Sequence, residues 1–283
     1  MAVAGRLDAY FEGDYRTLFV EEHVRNLLSE LYQYRELLWM WTMRSIKVRY
    51  KQSVLGVAWA ILQPLSFMLI FSVVFTYFVK VPTGGIPYPI FSYSALLPWT
   101  FFATSISFAV PCLVVNMNLV TKIYFPREIL PMAEVGACLL DFLVATVVFV
   151  GMMLFYRLSF HITLLLVPVL LVVQILLMLG LVFFASAMNV FYRDIRFVVP
   201  LVVQLWMYAT PVIYPISIVP ERFRGFYMLN PVAGIVESYR AIALHGIWPE
   251  WSYLASAAGI SAVVFVLGYM YFKRVEWQFA DVI

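Results

Sequence analysis

The sequence predicts an all-α membrane protein: six transmembrane helices per chain, an N-terminal amphipathic helix at the interface, and a re-entrant external segment before the last helix. Three observations predict it. First, of 283 residues 64% are apolar and 12% charged, with a mean hydropathy of +0.89, whereas a soluble domain is about half apolar and about a quarter charged. So few polar side chains cannot cover a water-facing surface, which excludes soluble enzymes, nucleic-acid binders and disordered scaffolds. Second, long charge-free runs recur along the chain, and a crossing needs roughly 20 apolar residues. Third, six crossings leave only Lys80, Arg157, Arg222, Arg224 and Arg240 on one side and the other 14 of the 19 basic residues on the opposite side. Basic residues collect in the cytoplasm, so both termini are expected there.

Residues 1–52 read as a cytoplasmic N-terminal region. Val24, Leu27, Leu28, Leu31, Tyr34, Leu38 and Trp41 recur at steps of three and four, opposite Arg25, Ser29, Glu30, Gln33 and Glu36. That spacing predicts an amphipathic helix near Glu22–Trp41 lying along the membrane surface, with Leu27, Leu31, Leu38 and Trp41 on its apolar face. The first apolar run starts too late for a signal peptide. Trp39 and Trp41 stand beside Arg44, Lys47, Arg49 and Lys51. This basic run suits either anionic lipid or the phosphate of a lipid-borne substrate at the cytoplasmic surface.

Residues 53–283 are the transmembrane domain. Its spans are expected at Leu55–Val79, Phe91–Val115, a third from about Pro131 to Tyr156, then Thr163–Asn189, Phe197–Ile218 and Tyr253–Phe272. The third requires Glu134 and Asp141 within it. Seven residues apart, these acids share one helical face, about 10 Å apart along the axis. An ionisable residue within a span is a functional candidate; a bond from a Ser, Thr or Tyr of a neighbouring helix would give Asp141 a purely structural role instead. Cys112 and Cys138 lie in apolar stretches and read as small hydrophobes.

Enzyme chemistry finds no footing. No G-x-x-x-x-G-K-[ST] phosphate loop and no G-x-S-x-G elbow occurs, and His23, His161 and His245 lack metal-ligand spacing. Neither is a three-span repeat visible, which speaks against an ion-coupled carrier.

Four ordered motifs then stand out: R-Y-K-x-S-x-L-G-x-x-W at Arg49–Trp59, F-P-R-E-I-x-P at Phe125–Pro131, Y-R-D-I at Tyr192–Ile195, and P-V-x-Y-P at Pro211–Pro215 followed by Asn230-Pro231. In this series the chain resembles the type-2 ABC exporter permeases, and most of all their polysaccharide branch, which exports O-antigen, capsule or wall teichoic acid. The resemblance implies a coupling loop at 116–131, with Lys122, Tyr124, Phe125, Pro126, Arg127 and Glu128 docking on a separate ATPase subunit. Arg193 and Asp194 would be a second contact. It also implies an assembly of two such chains with two ATPase subunits in a bacterial inner membrane. ATP and Mg would then sit on the partner, and this chain would carry no cofactor.

The prolines of 211–250 predict a re-entrant external gate, with Tyr214, Pro215, Arg222, Arg224 and Arg240 near the exit, since irregular backbone at membrane depth must be satisfied by protein or water. Span two interleaves aromatics with hydroxyls. Tyr93, Trp99, Phe101, Thr104, Ser105 and Phe108 are the candidate channel lining for a lipid-linked glycan, because aromatic faces and exchangeable hydroxyls suit a sliding sugar polymer. The alternatives are a type-2 exporter of a small amphiphile or drug and, from another class, an ion-coupled secondary carrier.

Overall fold

A computed structural model describes residues 32–51, 53–122 and 125–279. These residues are helical and contain no strand. Helix α1 spans Arg35–Tyr50. Leu27 and Leu31, and with them half of the expected N-terminal helix, lie outside the described residues. Where the expectation stopped at Trp41, the helix runs on through the basic stretch. Leu37 and Trp41 pack on the core, and Thr42 is buried.

Helix α2 spans Ala58–Val73 and widens into a π turn at Val74–Phe78. Helix α3, Tyr88–Ala109, is buried over most of its length. It starts with Pro89 in its first turn, where a missing N–H costs nothing. Two short helices, α4 (Cys112–Val115) and α5 (Met117–Lys122), lead into the connector before α6. Helix α6 covers Ile129–Phe155, and α7 covers Val167–Phe191 after a 3-10 turn at Ile162–Leu166.

Helix α8, Ile195–Tyr208, ends well before the expected Ile218. Pro211 lies just beyond, and a proline disfavours helical backbone at the residue before it. After α9 (Glu221–Tyr227), α10 (Pro231–Arg240) passes into a π turn at Ala241–His245. The last long helix, α11, spans Trp251–Val275 and ends in a 3-10 turn at Glu276–Gln278.

Four of these segments are long and apolar enough to cross a membrane: Ala58–Phe78, Ile129–Phe155, Ile162–Phe191 and Trp251–Gln278. The other two expected spans correspond to α3 and α8. Helix α3 is diluted by Ser92, Ser94, Thr100, Thr104, Ser105 and Ser107. Helix α8 has 14 residues, about 21 Å of helix against a hydrocarbon core of about 30 Å.

Helix α3 stands at the centre, against α2, α6, α7 and α10. Helices α7 and α11 form the most extensive helix pair. They approach so closely at Gly180 and Gly268 that a Cβ on Gly268 would lie 2.0 Å from the Gly180 carbonyl oxygen. Small residues permit this spacing, and in lipid, packing rather than the hydrophobic effect holds helices together.

Candidate functional site

The N-terminal half of α6 is clamped to α1 by charge. The Arg49 guanidinium lies 2.7 Å from Asp141 and 3.3 Å from Glu134, with only 15% of its side chain exposed. Tyr50 donates to the other Asp141 oxygen at 2.5 Å, and Ser45 donates to Glu134 at 2.6 Å. Phe108 of α3 closes the site from above, its ring centre 4.0 Å from the guanidinium carbon. The shared face of Glu134 and Asp141 is thus the surface on which α1 docks, and Tyr50 and Arg49 are Asp141's partners.

Beside this clamp lies a cavity of about 270 Å³ between α1, α2, α3 and α6. Phe101, Thr104 and Phe108 line it as a group, joined by Trp59, Gln63 and Asp141. Aromatic faces, hydroxyls and a carboxylate therefore meet in one recess. Thr104 donates to the Thr100 carbonyl within its own helix, at 2.7 Å, which leaves its oxygen as an acceptor. Tyr93, Trp99 and Ser105 do not reach the cavity. Tyr93 is fully buried, donating to the Ala145 carbonyl at 3.1 Å and stacking on Phe149. Trp99 packs on Phe102, and Ser105 is buried.

The basic run at the end of α1, Arg44, Lys47, Arg49 and the flanking Lys51, divides between two faces. Arg44, Lys47 and Lys51 share a shallow groove of about 500 Å³ with Trp39, as their spacing of three and four residues requires. Arg49 points to the opposite side and is spent on its two acids, so it does not join the cationic groove.

In the connector, Lys122 is exposed, while Phe125 is buried and Pro126 half-buried; Tyr124 lies outside the described residues. Arg127 and Glu128 differ from the expected outward-facing pair. The Arg127 backbone N–H donates to a Glu276 carboxylate oxygen at 3.2 Å, and its guanidinium donates to the Glu276 carbonyl. Glu128, 1% exposed, lies 2.7 Å from the Lys273 ammonium. Burial pushes the Glu128 carboxyl up to about 7, with Glu276 adding to the rise and Lys273 opposing it. Arg193 and Asp194, between α7 and α8, are exposed, and Asn189 accepts from the Arg196 N–H at 3.1 Å.

The segment 211–250 folds inward. Helix α10 is almost wholly buried among α3, α7 and α11. Arg240 is therefore no exit residue: it is 2% exposed, donates to the carbonyls of Pro211, Val212 and Tyr214, and lies over the Phe91 ring. A buried guanidinium satisfies the carbonyls that the prolines and the end of α8 leave without helical partners. Arg222 is exposed and Arg224 half-buried, donating to the Val219 carbonyl at 3.0 Å. Tyr214 and Tyr227 share a hydroxyl–hydroxyl bond, and Pro215 is half-buried before the 3-10 turn at Ile216–Ile218.

The model of the ABC-2 type transporter family matches residues 36–244. The chain belongs to that family. It is 32% identical over 260 residues to the O-antigen export system permease protein RfbA of Myxococcus xanthus, covering 90% of this chain and 98% of that protein. A Klebsiella pneumoniae O-antigen export system permease protein RfbA is 28% identical over 249 residues, covering 88% and 95% of the two chains. The polysialic acid transport protein KpsM of Escherichia coli is 24% identical over 241 residues, covering 83% and 91%. This chain is accordingly a multi-pass membrane permease of the ABC-2 class.

Several residues of this ABC-2 permease that matter to the site were given no role from sequence, some of them although they stand in its motifs. Tyr50 and Trp59 belong to the first motif and Gln63 follows it by four residues, and that position was their only signal. Lys273 and Glu276 carried the signal of a charged turn at the end of the last apolar run. Asn230 accepts from Trp206 Nε1 at 3.0 Å and from the Val232 N–H at 3.1 Å, capping α10. Asn before Pro is a helix-start signal, and it holds here.

Proposed function

We propose that the chain is the membrane subunit of an ATP-driven exporter that carries a lipid-linked polysaccharide, of the O-antigen, capsule or teichoic acid kind, out of the cytoplasm. One observation carries this reading: similarity to permeases of O-antigen and polysialic acid systems extends over nearly the whole chain and over 98% of the Myxococcus protein. The sequence has no phosphate-cradling loop, so the energy comes from a separate ABC ATPase, which holds ATP and Mg. Two copies of this chain and two of the ATPase form the transporter, in a bacterial inner membrane with both termini cytoplasmic and six spans per chain. Residues 1–52 then form the cytoplasmic region, with its helix at the interface, and 53–283 the transmembrane domain.

The residues divide the work by chemistry. Arg44, Lys47 and Lys51 attract the phosphate of the lipid carrier at the cytoplasmic surface, where Trp39 anchors the helix in the headgroups. The recess of Phe101, Thr104, Phe108 and Trp59 offers sugar rings apolar faces and weak acceptors. It offers the phosphate no free cation, because Arg49, the base that lines it, is paired with Asp141 and with Glu134 behind it. Lys122, Arg193 and Asp194 are the polar groups left exposed for ATPase docking, on connector 116–131 and the α7–α8 turn. The inward segment 211–250 closes the outer end.

Reconstitution of the chain with its ATPase in liposomes tests the reading. Lipid-linked glycan should become accessible to an outside lectin or glycosidase only when ATP and both proteins are present. Movement without the ATPase would reinstate the ion-coupled carrier; movement of small amphiphiles but not of glycan would reinstate the other exporter class.

A further inference from the structure

The turn that ends α11 holds both cytoplasmic connectors at once. Its Lys273 pairs with Glu128 at 2.7 Å and with Glu276 at 3.2 Å. Glu276 in turn receives Arg127 through both its carboxylate and its carbonyl. Glu128, Lys273 and Glu276 thus form one run of ion pairs, and Arg127 is tied to it by hydrogen bonds to Glu276. Two of the four lie at the helix end that favours their charge, Glu128 at the positive N-terminus of α6 and Lys273 in the last turn of α11; Arg127 and Glu276 lie at the opposite ends and are held by their partners in the cluster.

Three residues further on, Phe279 is fully buried. Its ring packs 5.4 Å from Phe272 and 6.1 Å from Phe191, with the Arg127 guanidinium 5.9 Å away. Phe191 is the last residue of α7, directly before the exposed Tyr192–Arg196 turn. Among the described residues, no hydrogen bond or ion pair joins residues 125–128 to α2 or α8.

We infer that Lys273, Glu276 and Phe279 form a strap of positioning residues that fixes both cytoplasmic connectors to the last span, so that force on the connectors moves α11 and α7 together. The close glycine packing of α7 on α11 makes that pair one body. Spans four and six are therefore recruited beside α6 and α8, the helices into which the two connectors lead directly. This inference rests on the ATPase-driven reading above. Two members of the cluster, Arg127 and Glu128, are side chains that sequence analysis assigned to the ATPase contact; turned inward, they serve transmission instead of docking.

Lys273→Met tests it in the assembled transporter, since methionine keeps the apolar stem and removes the charge. ATPase co-purification and basal ATP hydrolysis should stay within about two-fold of the parent chain, while ATP-driven glycan export falls at least ten-fold. Lys273→Arg should restore export, and Glu128→Gln combined with Lys273→Met should do no further damage than either alone, as one interacting unit requires. If Lys273→Met lowers the yield of folded protein, Phe279→Leu carries the same expectation, because it keeps an apolar plug but removes the ring between Arg127 and Phe191. Export at the parent rate in these variants, or a parallel loss of ATPase binding, overturns the strap. Failure of the unmodified chain to bind ATPase or export glycan would instead overturn the functional reading.

Discussion

Removing Arg49 should detach α1 from α6, and the cost can be worked from the clamp. With an effective dielectric constant near 20, contacts at 2.7 and 3.3 Å correspond to about 6 and about 5 kcal/mol of gross Coulomb attraction. Desolvation of the three groups consumes much of this. Deleting one member of a buried pair costs about 3–5 kcal/mol, because the remaining charge is left stranded. Here the side chains are 15–19% exposed, and water screens part of the loss, so Arg49→Met should cost about 3 kcal/mol. Tyr50 and Ser45 still hold the two acids, but both acids would then face each other's charge without a cation. Reversible unfolding in mixed detergent micelles, followed by helicity, gives the free energy. Asp141→Asn alone should be milder, and the double variant should fall short of the sum by about 1 kcal/mol or more. A loss below about 1 kcal/mol for Arg49→Met, the range of exposed ion pairs, would refute the clamp. So would additivity of the two changes.

Three further outcomes are expected. Gly268→Ala places a methyl 2.0 Å from the Gly180 carbonyl oxygen, so α7 and α11 must part. The cost should be at least about 1–3 kcal/mol in the same unfolding assay, while Gly259→Ala on the same helix, which meets nothing within 4 Å, should be neutral or stabilising. The Glu128 carboxyl titrates near 7 when folded, against 4.5 ordinarily, facing Lys273, Glu276 and the adjoining Arg127. The folded chain therefore keeps a proton that the unfolded chain has released, and stability falls as pH rises from about 4.5 towards 7. The thermal midpoint of the parent chain should drop from pH 5 to pH 8 relative to Glu128→Gln. Finally, Arg240→Leu should cost about 3 kcal/mol or more, since it strands three carbonyls; retention of the parent midpoint would show that water replaces the guanidinium.

What the sequence made legible was periodicity and apolar length. The apolar runs located α2, α6, α7 and α11, and a spacing of seven placed Glu134 and Asp141 on one face. Periodicity states which residues share a face but not which helix opposes it, so Arg49 and Lys273 could not be matched to their acids. Both sit near helix ends, where a long basic side chain reaches water as readily as it pairs. Arg240 was misplaced for a related reason. A charge among prolines reads as an exposed loop, whereas the same prolines free carbonyls that a buried guanidinium can satisfy. The end of α8 was set too late because an apolar run continues past Tyr208 to Val219 although the helix does not.

The arrangement makes α6 the element that joins the connector to the recess. Its acids at 134 and 141 share one face, whereas position 128 lies about 120° around the axis. Helix α1 therefore grips α6 from one side through Arg49, and α11 grips its start from another through Lys273. A helix held on two sides cannot roll or tilt at the connector without moving α1 and α11 or breaking an ion pair. Asp141, which lines the recess beside Phe101 and Phe108, stands 13 residues along the same helix from Glu128, about 20 Å away. Connector and recess thus lie on one rigid body, and a chain of small side-chain rearrangements is not needed to link them. The physical warrant for such coupling is an element with two positions that both sites bias, and α6 with its two clamps is the candidate for that element.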